Sequence, residues 1–311
     1  MRRLIQSFNP FPIVIIVFIT GLFLFIHTSS VYAGGPDRHM KSTAEWLIIT
    51  DSYGVTPQGS RNRTWPYQFQ EMMGLPDSDM CFLRLNGYGY ARRGHRYIDK
   101  VKALPKNQHL RRIIVTGGIN NDKHEPLSEI KSEMEKLNRL FGKYFPNASV
   151  YMAVPNWNFK EAKHSFLRQR KALYRSYGKK LGWKWLPAVS GALEGETGWY
   201  QSDFHHPNIR GARLIAEAAF YSFRGYRQQY LVHYTPNGGT GRPKLRKYRF
   251  GRTYRTPACP FKKSGYTFAG WKDLESGQVF TKEDTIKNLS CRRNDVIEFS
   301  ARWTKFRSKH D

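Results

Sequence analysis

The chain has 311 residues, 40% of them hydrophobic, and a formal net charge of +27. That length and apolar content suffice for one sizeable domain plus a smaller one. The charge says little about fold but attracts polyanions without selecting among them, and an odd count of three cysteines excludes a fully paired intramolecular disulfide framework.

Arg2-Arg3 precede an apolar core from Ile13 to Ile26, and Val31 and Ala33 place small residues before Gly34. The core is short for a membrane span and suits the h-region of a signal peptide. Residues 1–33 are therefore expected to direct export, with an uncleaved membrane anchor as the alternative. Residues 34–44 read as a short linker. Export leads to a secreted or cell-surface location, puts genomic DNA out of reach, and makes an anionic envelope polymer the natural partner of the positive charge.

From Glu45 onward, short apolar runs alternate with longer amphipathic stretches. The runs are residues 46–50, 80–85, 112–118, 149–155 and 184–187, each of strand length and several rich in β-branched or aromatic residues. The stretch 127–145 places Leu127, Ile130, Met134, Leu137 and Phe141 on one helical face. Residues 160–182 repeat the pattern with Phe166, Leu173 and Tyr177, and 209–223 close the series. Strand alternating with helix predicts a parallel sheet covered on both faces, over residues 45–226. Reactive groups in such sheets gather beyond the carboxyl ends of the strands. Ser52 follows the first run, Gly87 and Gly89 the second, and Asn120 the third.

Beyond Tyr226 the character changes. Asn237-Gly238-Gly239 is a turn signal, and seven Lys or Arg lie between Gly241 and Thr256 with no acid among them. Short alternating stretches then continue to Trp303. A small β-rich domain over 231–304 is expected, followed by a basic tail, 305–311. Cys81 lies in an apolar run and reads as a buried thiol. Cys259 and Cys291 share the C-terminal region; export permits a bridge between them, and the sequence leaves the pairing open.

Asp203 and His206 stand three residues apart, with Pro207 next and a helix predicted after it. Asp203 is then able to accept from one ring nitrogen of His206 and turn the other outward. Gly117 and Gly118 permit close backbone approach, and Asn120 offers a side-chain N–H to a developing oxyanion.

Thr50-Asp51-Ser52, Gly118-Ile119-Asn120-Asn121 and Asp203-Phe204-His205-His206, with the glycine loop after the second run, resemble the blocks of the SGNH, or GDSL-like, hydrolase family over about residues 46–223. The resemblance implies a three-layer α/β/α, flavodoxin-like parallel sheet. It implies a catalytic Ser52, His206 and Asp203, and an oxyanion hole from the Ser52 N–H, the Asn120 side chain and the Gly89 N–H, with Gly87 the competing choice. The chemistry implied is hydrolysis of an O-acyl ester, such as acetyl on a glycan, with no cofactor and no metal. Two departures stand out: Thr50 replaces the first-block Gly and Asn121 the third-block Asp. They keep open the alternative of a weak or inactive site on a surface protein that binds anionic wall polymers.

Asn237-Gly238-Gly239-Thr240, Gly265-Tyr266-Thr267-Phe268 with Gly270-Trp271, and Ala301-Arg302-Trp303 resemble the Listeria–Bacteroides repeat of the internalin B-repeat type. That implies a small β-grasp-like module with a spacer or binding role. Tyr266, Phe268 and Trp271 are expected in its core. No nucleic-acid motif accompanies the charge.

Overall fold

A computed structural model describes residues 39–57, 61–121, 125–154, 165–194, 197–225 and 229–306. The expected signal or anchor, residues 1–33, lies outside the described residues, as do linker residues 34–38 and the last five residues of the basic tail.

Five strands form the first sheet: β1 (Trp46–Thr50), β2 (Met80–Arg84), β3 (Arg112–Thr116), β4 (Ser149–Ala153) and β5 (Lys184–Trp185). Their order is β2-β1-β3-β4-β5 and every pairing is parallel. This is the flavodoxin-like doubly wound order, whose switch point lies between β1 and β3. The helices are α1 (Trp65–Met73), α2 (Tyr97–Val101), α3 (Leu127–Tyr144), α4 (Ser165–Lys180), α5 (Pro187–Ser190) and α6 (Ile209–Arg224).

Alternation along β1 explains the three layers. Leu47 and Ile49 pack with α2, α3 and α4, whereas Trp46 and Ile48 pack with α1, α5 and α6. Both faces are covered, so the strand reads as a continuous apolar run rather than an alternating one. Burying Leu47, Ile48 and Ile49 contributes roughly 1.5–3 kcal/mol each. On α3 the predicted face is buried at Ile130, Met134, Leu137 and Phe141. Leu127 is exposed, because it opens the helix before the first turn meets the sheet. Helix α1 has no clear apolar stripe and is absent from the sequence expectation; Pro66 near its start and left-handed Gly74 at its end are its boundary signals.

The C-terminal region is β-rich, as expected. Its strands are β6 (Gln229–Thr235), β7 (Lys244–Arg249), β8 (Tyr254–Arg255), β9 (Tyr266–Asp273), β10 (Val279–Phe280), β11 (Thr285–Ile286) and β12 (Val296–Lys305). A mixed sheet runs β10-β9-β12-β6-β7, with β12 parallel to β6 and the other pairs antiparallel; β8 and β11 form a separate ladder. Trp271 is fully buried in its core, beside Tyr234 and Phe261. Phe268 and Tyr266 are only half-buried at its edge.

Cysteine chemistry is simpler than export would permit. Cys81 is a buried thiol in β2, and Cys259 and Cys291 are both free. Cys259 lies beside the C-terminal core, while Cys291 is buried against α6 in the core on the other side, its Sγ facing the Leu214 carbonyl and Glu217. The two face different cores, so the optional bridge is not formed. Among the described residues no helix is long and apolar enough to cross a membrane.

Candidate active site

Ser52 lies where β1 ends. Asp51 caps a short 3-10 turn, Ser52–Gly54, and its Oδ1 accepts the Tyr53 N–H at 3.1 Å. The Ser52 carbonyl is held by the Val55 and Thr56 N–H groups, both at 3.1 Å, and by the Thr56 hydroxyl at 3.0 Å. As the first residue of the turn, Ser52 keeps its own N–H outside the helical ladder, with no backbone partner among the described residues. Because β1, β2 and β3 are parallel neighbours, Ser52, Gly87, Gly89 and Asn120 all lie at one rim, beside the switch point.

Thr50 has a steric explanation. A Cβ placed on Gly54 would lie 2.0 Å from Thr50 Cγ2. The bulk added at one position is accommodated by its absence four residues later. Gly54→Ala is therefore expected to destabilise the fold by about 2–3 kcal/mol through overpacking. In Thr50→Gly/Gly54→Ala, at least about 1 kcal/mol of that loss should be recovered as a coupling. Urea unfolding of all four variants measures it, and strictly additive costs would refute the steric exchange.

Asn121, the second departure, is also fitted to its place. It is buried, its Oδ1 accepts the Ala91 N–H at 2.9 Å, and its Nδ2 donates to the Gly118 carbonyl at 3.2 Å and to Tyr174 Oη at 2.5 Å. An ionised Asp would offer no donor to that carbonyl and would place a charge in the core.

Gly89 departs from expectation. Its N–H donates to the His95 carbonyl at 3.0 Å, so it is engaged in closing its own loop. A Cβ at Gly89 would meet Asn121 Oδ1 at 2.5 Å; close approach, not donation, is what this glycine supplies. Gly87, the competing choice, has a left-handed φ of 77° and no N–H partner among the described residues. Asn120 is half-buried and donates one amide hydrogen to the Tyr88 carbonyl at 3.0 Å, which fixes the side chain while a second hydrogen remains. Gly117 and Gly118 allow the expected close approach: a Cβ on the first would lie 2.1 Å from Tyr97 Oη, and one on the second 2.9 Å from the Tyr174 ring.

Asp203 and His206 meet across one turn. Asp203 Oδ2 lies 2.7 Å from His206 Nδ1, and Oδ1 accepts the His205 and His206 N–H groups at 2.9 and 3.0 Å. Phe204 takes a left-handed φ of 52° to make this turn, an uncommon conformation for a bulky residue. Partial burial works to raise the Asp203 carboxyl, but its backbone and ring hydrogen bonds outweigh that and hold it at about 2. In the tautomer whose Nδ1–H donates to the carboxylate, Nε2 is left as the accepting nitrogen. The loop's arms are joined by Gln201 N–H to the His206 carbonyl at 2.8 Å and Asn208 N–H to the Trp199 carbonyl at 2.9 Å.

The structure thus brings Asp203 and His206 into contact and sets the His206 ring 6.2 Å from the ring of Tyr53, Ser52's neighbour. A Ser52–His206 hydrogen bond is not among those of the described residues; such contacts commonly tighten only when substrate binds. Beneath Ser52, Asp51 is fully buried, and burial pushes its carboxyl up to about 7 against backbone N–H groups that favour the charged form. Sequence reasoning did not single out this buried acid. Its signal was its place between a fully buried strand and a glycine pair.

A cleft of about 840 Å³ opens beside Asn120, lined by Arg92, Arg93 and Arg96 together with Glu125 and Glu129. Arg96 is engaged by Asp99 at 3.0 Å. Among the described residues no three His, Cys, Asp or Glu side chains group as metal ligands.

Residues 230–290 match the Listeria-Bacteroides repeat domain family. No curated protein sequence matches the chain. Among solved structures, the chain is similar to a psychrotrophic esterase from Pseudoalteromonas sp., at 13% identity over 58% of this chain and 97% of that one, with a TM-score of 0.44. A lipolytic protein of the G-D-S-L family from Veillonella parvula aligns at 16% identity over 59% of this chain and 100% of that one, with a TM-score of 0.46. An acetylxylan esterase from Geobacillus stearothermophilus aligns at 14% identity over 60% and 96%, also with a TM-score of 0.46.

Proposed function

We propose that the chain is an exported serine ester hydrolase that removes a short acyl group, such as acetyl, from a polar hydroxylated substrate of the cell envelope or its surroundings. The observation that carries the reading is the Asp203–His206 pair, hydrogen-bonded at 2.7 Å and held beside Tyr53 at the rim where Ser52 leaves β1. His206 Nε2 takes the Ser52 proton as Oγ attacks the ester carbonyl carbon. The tetrahedral oxyanion is received by the Ser52 N–H, the Asn120 amide and, from the glycine loop, the Gly87 N–H in place of that of Gly89. The alkoxide leaves with the proton from His206. Water, deprotonated by the same ring, then releases the acyl group as a carboxylic acid. The charged walls of the cleft beside Asn120 suit a polar alcohol better than a long acyl chain.

A second reading, a surface protein that binds anionic polymers without turnover, is favoured by β7. Lys244, Arg246, Lys247 and Arg249 are exposed on this edge strand, and none pairs with a carboxylate among the described residues.

Reaction with an alkyl fluorophosphonate separates the two. The first reading expects one adduct per chain, located on Ser52 by peptide mass spectrometry and absent from Ser52→Ala and His206→Ala. Equal, negligible labelling of all three would leave the second reading.

A further inference from the structure

The C-terminal module grips the hydrolase-like part at both ends of the loop that carries Asp203 and His206. On the near side, Lys287 Nζ donates to Glu194 Oε2, and Glu194 Oε1 also takes Lys171 at 2.5 Å. Asn288 beside it is fully buried, in a left-handed conformation. Its Nδ2 donates to the Gly191 carbonyl while its Oδ1 takes the Gly251 N–H at 2.6 Å, so one amide ties the module's own turn to the segment after α5. Tyr200 carries the connection onward through its hydroxyl, 3.4 Å from the Leu193 carbonyl.

On the far side, Arg210 in the first turn of α6 donates to Glu275 of the module at 3.0 Å. Its guanidinium sits 5.5 Å above the ring of Trp199. Further along α6, Arg292 Nε meets the buried Glu217 at 2.5 Å, and Cys291 is enclosed beside it. Between these holds the loop is joined at its base by the 199–208 backbone bonds, while residues 202–205 stand exposed.

A passive tether has no use for an asparagine buried with both ends of its amide committed to different parts of the chain, since each lost bond leaves a buried polar group unsatisfied. We infer that the module is a clamp on the site, with Lys287, Asn288 and Glu275 acting as positioning residues for His206. This rests on His206 being the base. The module fixes the two arms whose relative tilt sets where Nε2 points, and an error of about 1 Å in such a group lowers the chemical rate by up to roughly a hundredfold.

The test uses the full chain carrying Asn288→Asp, which keeps the acceptor for Gly251 but removes the donor to Gly191, and Asn288→Asp/Glu275→Ala. In a Ser52→Ala background, amide hydrogen exchange is read by mass spectrometry independently of catalysis. Exchange at Gln201 and Asn208 is expected to rise about tenfold in the double variant, with β1, β3 and β4 unchanged. With Ser52 present, kcat on an aryl acetate is expected to fall about tenfold with KM within twofold. Exchange rising only in 287–292, or rising equally throughout the parallel sheet, would overturn the clamp. Should the wild-type chain show no hydrolysis, the proposed activity fails on that result alone, and the exchange pattern still decides whether the module orders the loop.

Discussion

Asp203→Asn is expected to leave the fold intact and lower kcat about a thousandfold, with KM little changed. The asparagine carbonyl keeps the place of Oδ1 and continues to accept the His205 and His206 N–H groups, so the turn around Phe204 survives. What changes is the atom facing His206 Nδ1 at 2.7 Å. An amide nitrogen there donates instead of accepting, so Nδ1 must be the unprotonated nitrogen and Nε2 must carry the hydrogen. The base is then occupied at the position that should receive the Ser52 proton. The imidazolium formed in the transition state also loses its carboxylate, although solvent screens part of that term because Asp203 is about half exposed. Steady-state kinetics with a short aryl ester measures the loss. Since hydrogen bonding holds the Asp203 carboxyl at about 2, its charge persists across the working range and Asp203 adds no step of its own to the wild-type rate profile. A loss under tenfold in Asp203→Asn would remove Asp203 from the mechanism.

The parallel sheet was readable in the sequence because both of its faces are covered. Runs such as Trp46–Thr50 must then be apolar at every position, and that pattern survives any detail of packing. The Asp203–His206 pair was readable because three residues suffice to turn the chain back on itself. Contacts set by tertiary approach were not. The exchange of bulk between Thr50 and Gly54 is a distance between side-chain positions, and each residue alone looks like an ordinary turn constituent. Gly89 looked like a donor because glycine serves both donation and close approach, and only the His95 carbonyl shows which applies. Lys287, Asn288 and Arg292 drew no expectation from the sequence, since nothing local distinguishes a solvated cation from one facing Glu194 or Glu217 across the fold. Helix α1 escaped notice because aromatic residues on several sides blur its helical period.

Asp51 is expected to make stability fall with rising pH over a range where most carboxylates have already finished titrating. Its carboxyl is raised by burial to about 7 in the folded chain, from an ordinary 3.8. Below about pH 4 it is protonated folded and unfolded, and no penalty exists. Between about 4 and 7 the unfolded chain releases the proton while the folded chain retains it, so stability declines by up to about 1.4 kcal/mol per pH unit. Above 7 both forms are ionised and the loss levels off near roughly 4 kcal/mol. Asp51→Asn keeps an oxygen to accept the Tyr53 N–H and removes the titration. The gap between the urea-unfolding free energies of variant and wild type should therefore widen by about 4 kcal/mol from pH 4 to pH 7.5, since contributions from other groups cancel in the difference. A constant gap would mean that Asp51 ionises in the folded chain as easily as in water. The consequence reaches the site, because Asp51 caps the turn that presents Ser52. Its ionisation near pH 7 places a negative charge beneath Ser52. A like charge opposes the negative charge that develops on the attacked carbonyl oxygen, so ionisation of Asp51 works against attack by Ser52. The rate of Asp51→Asn relative to the wild-type chain should accordingly rise as pH passes through about 7, in the same direction as the stability difference across that interval.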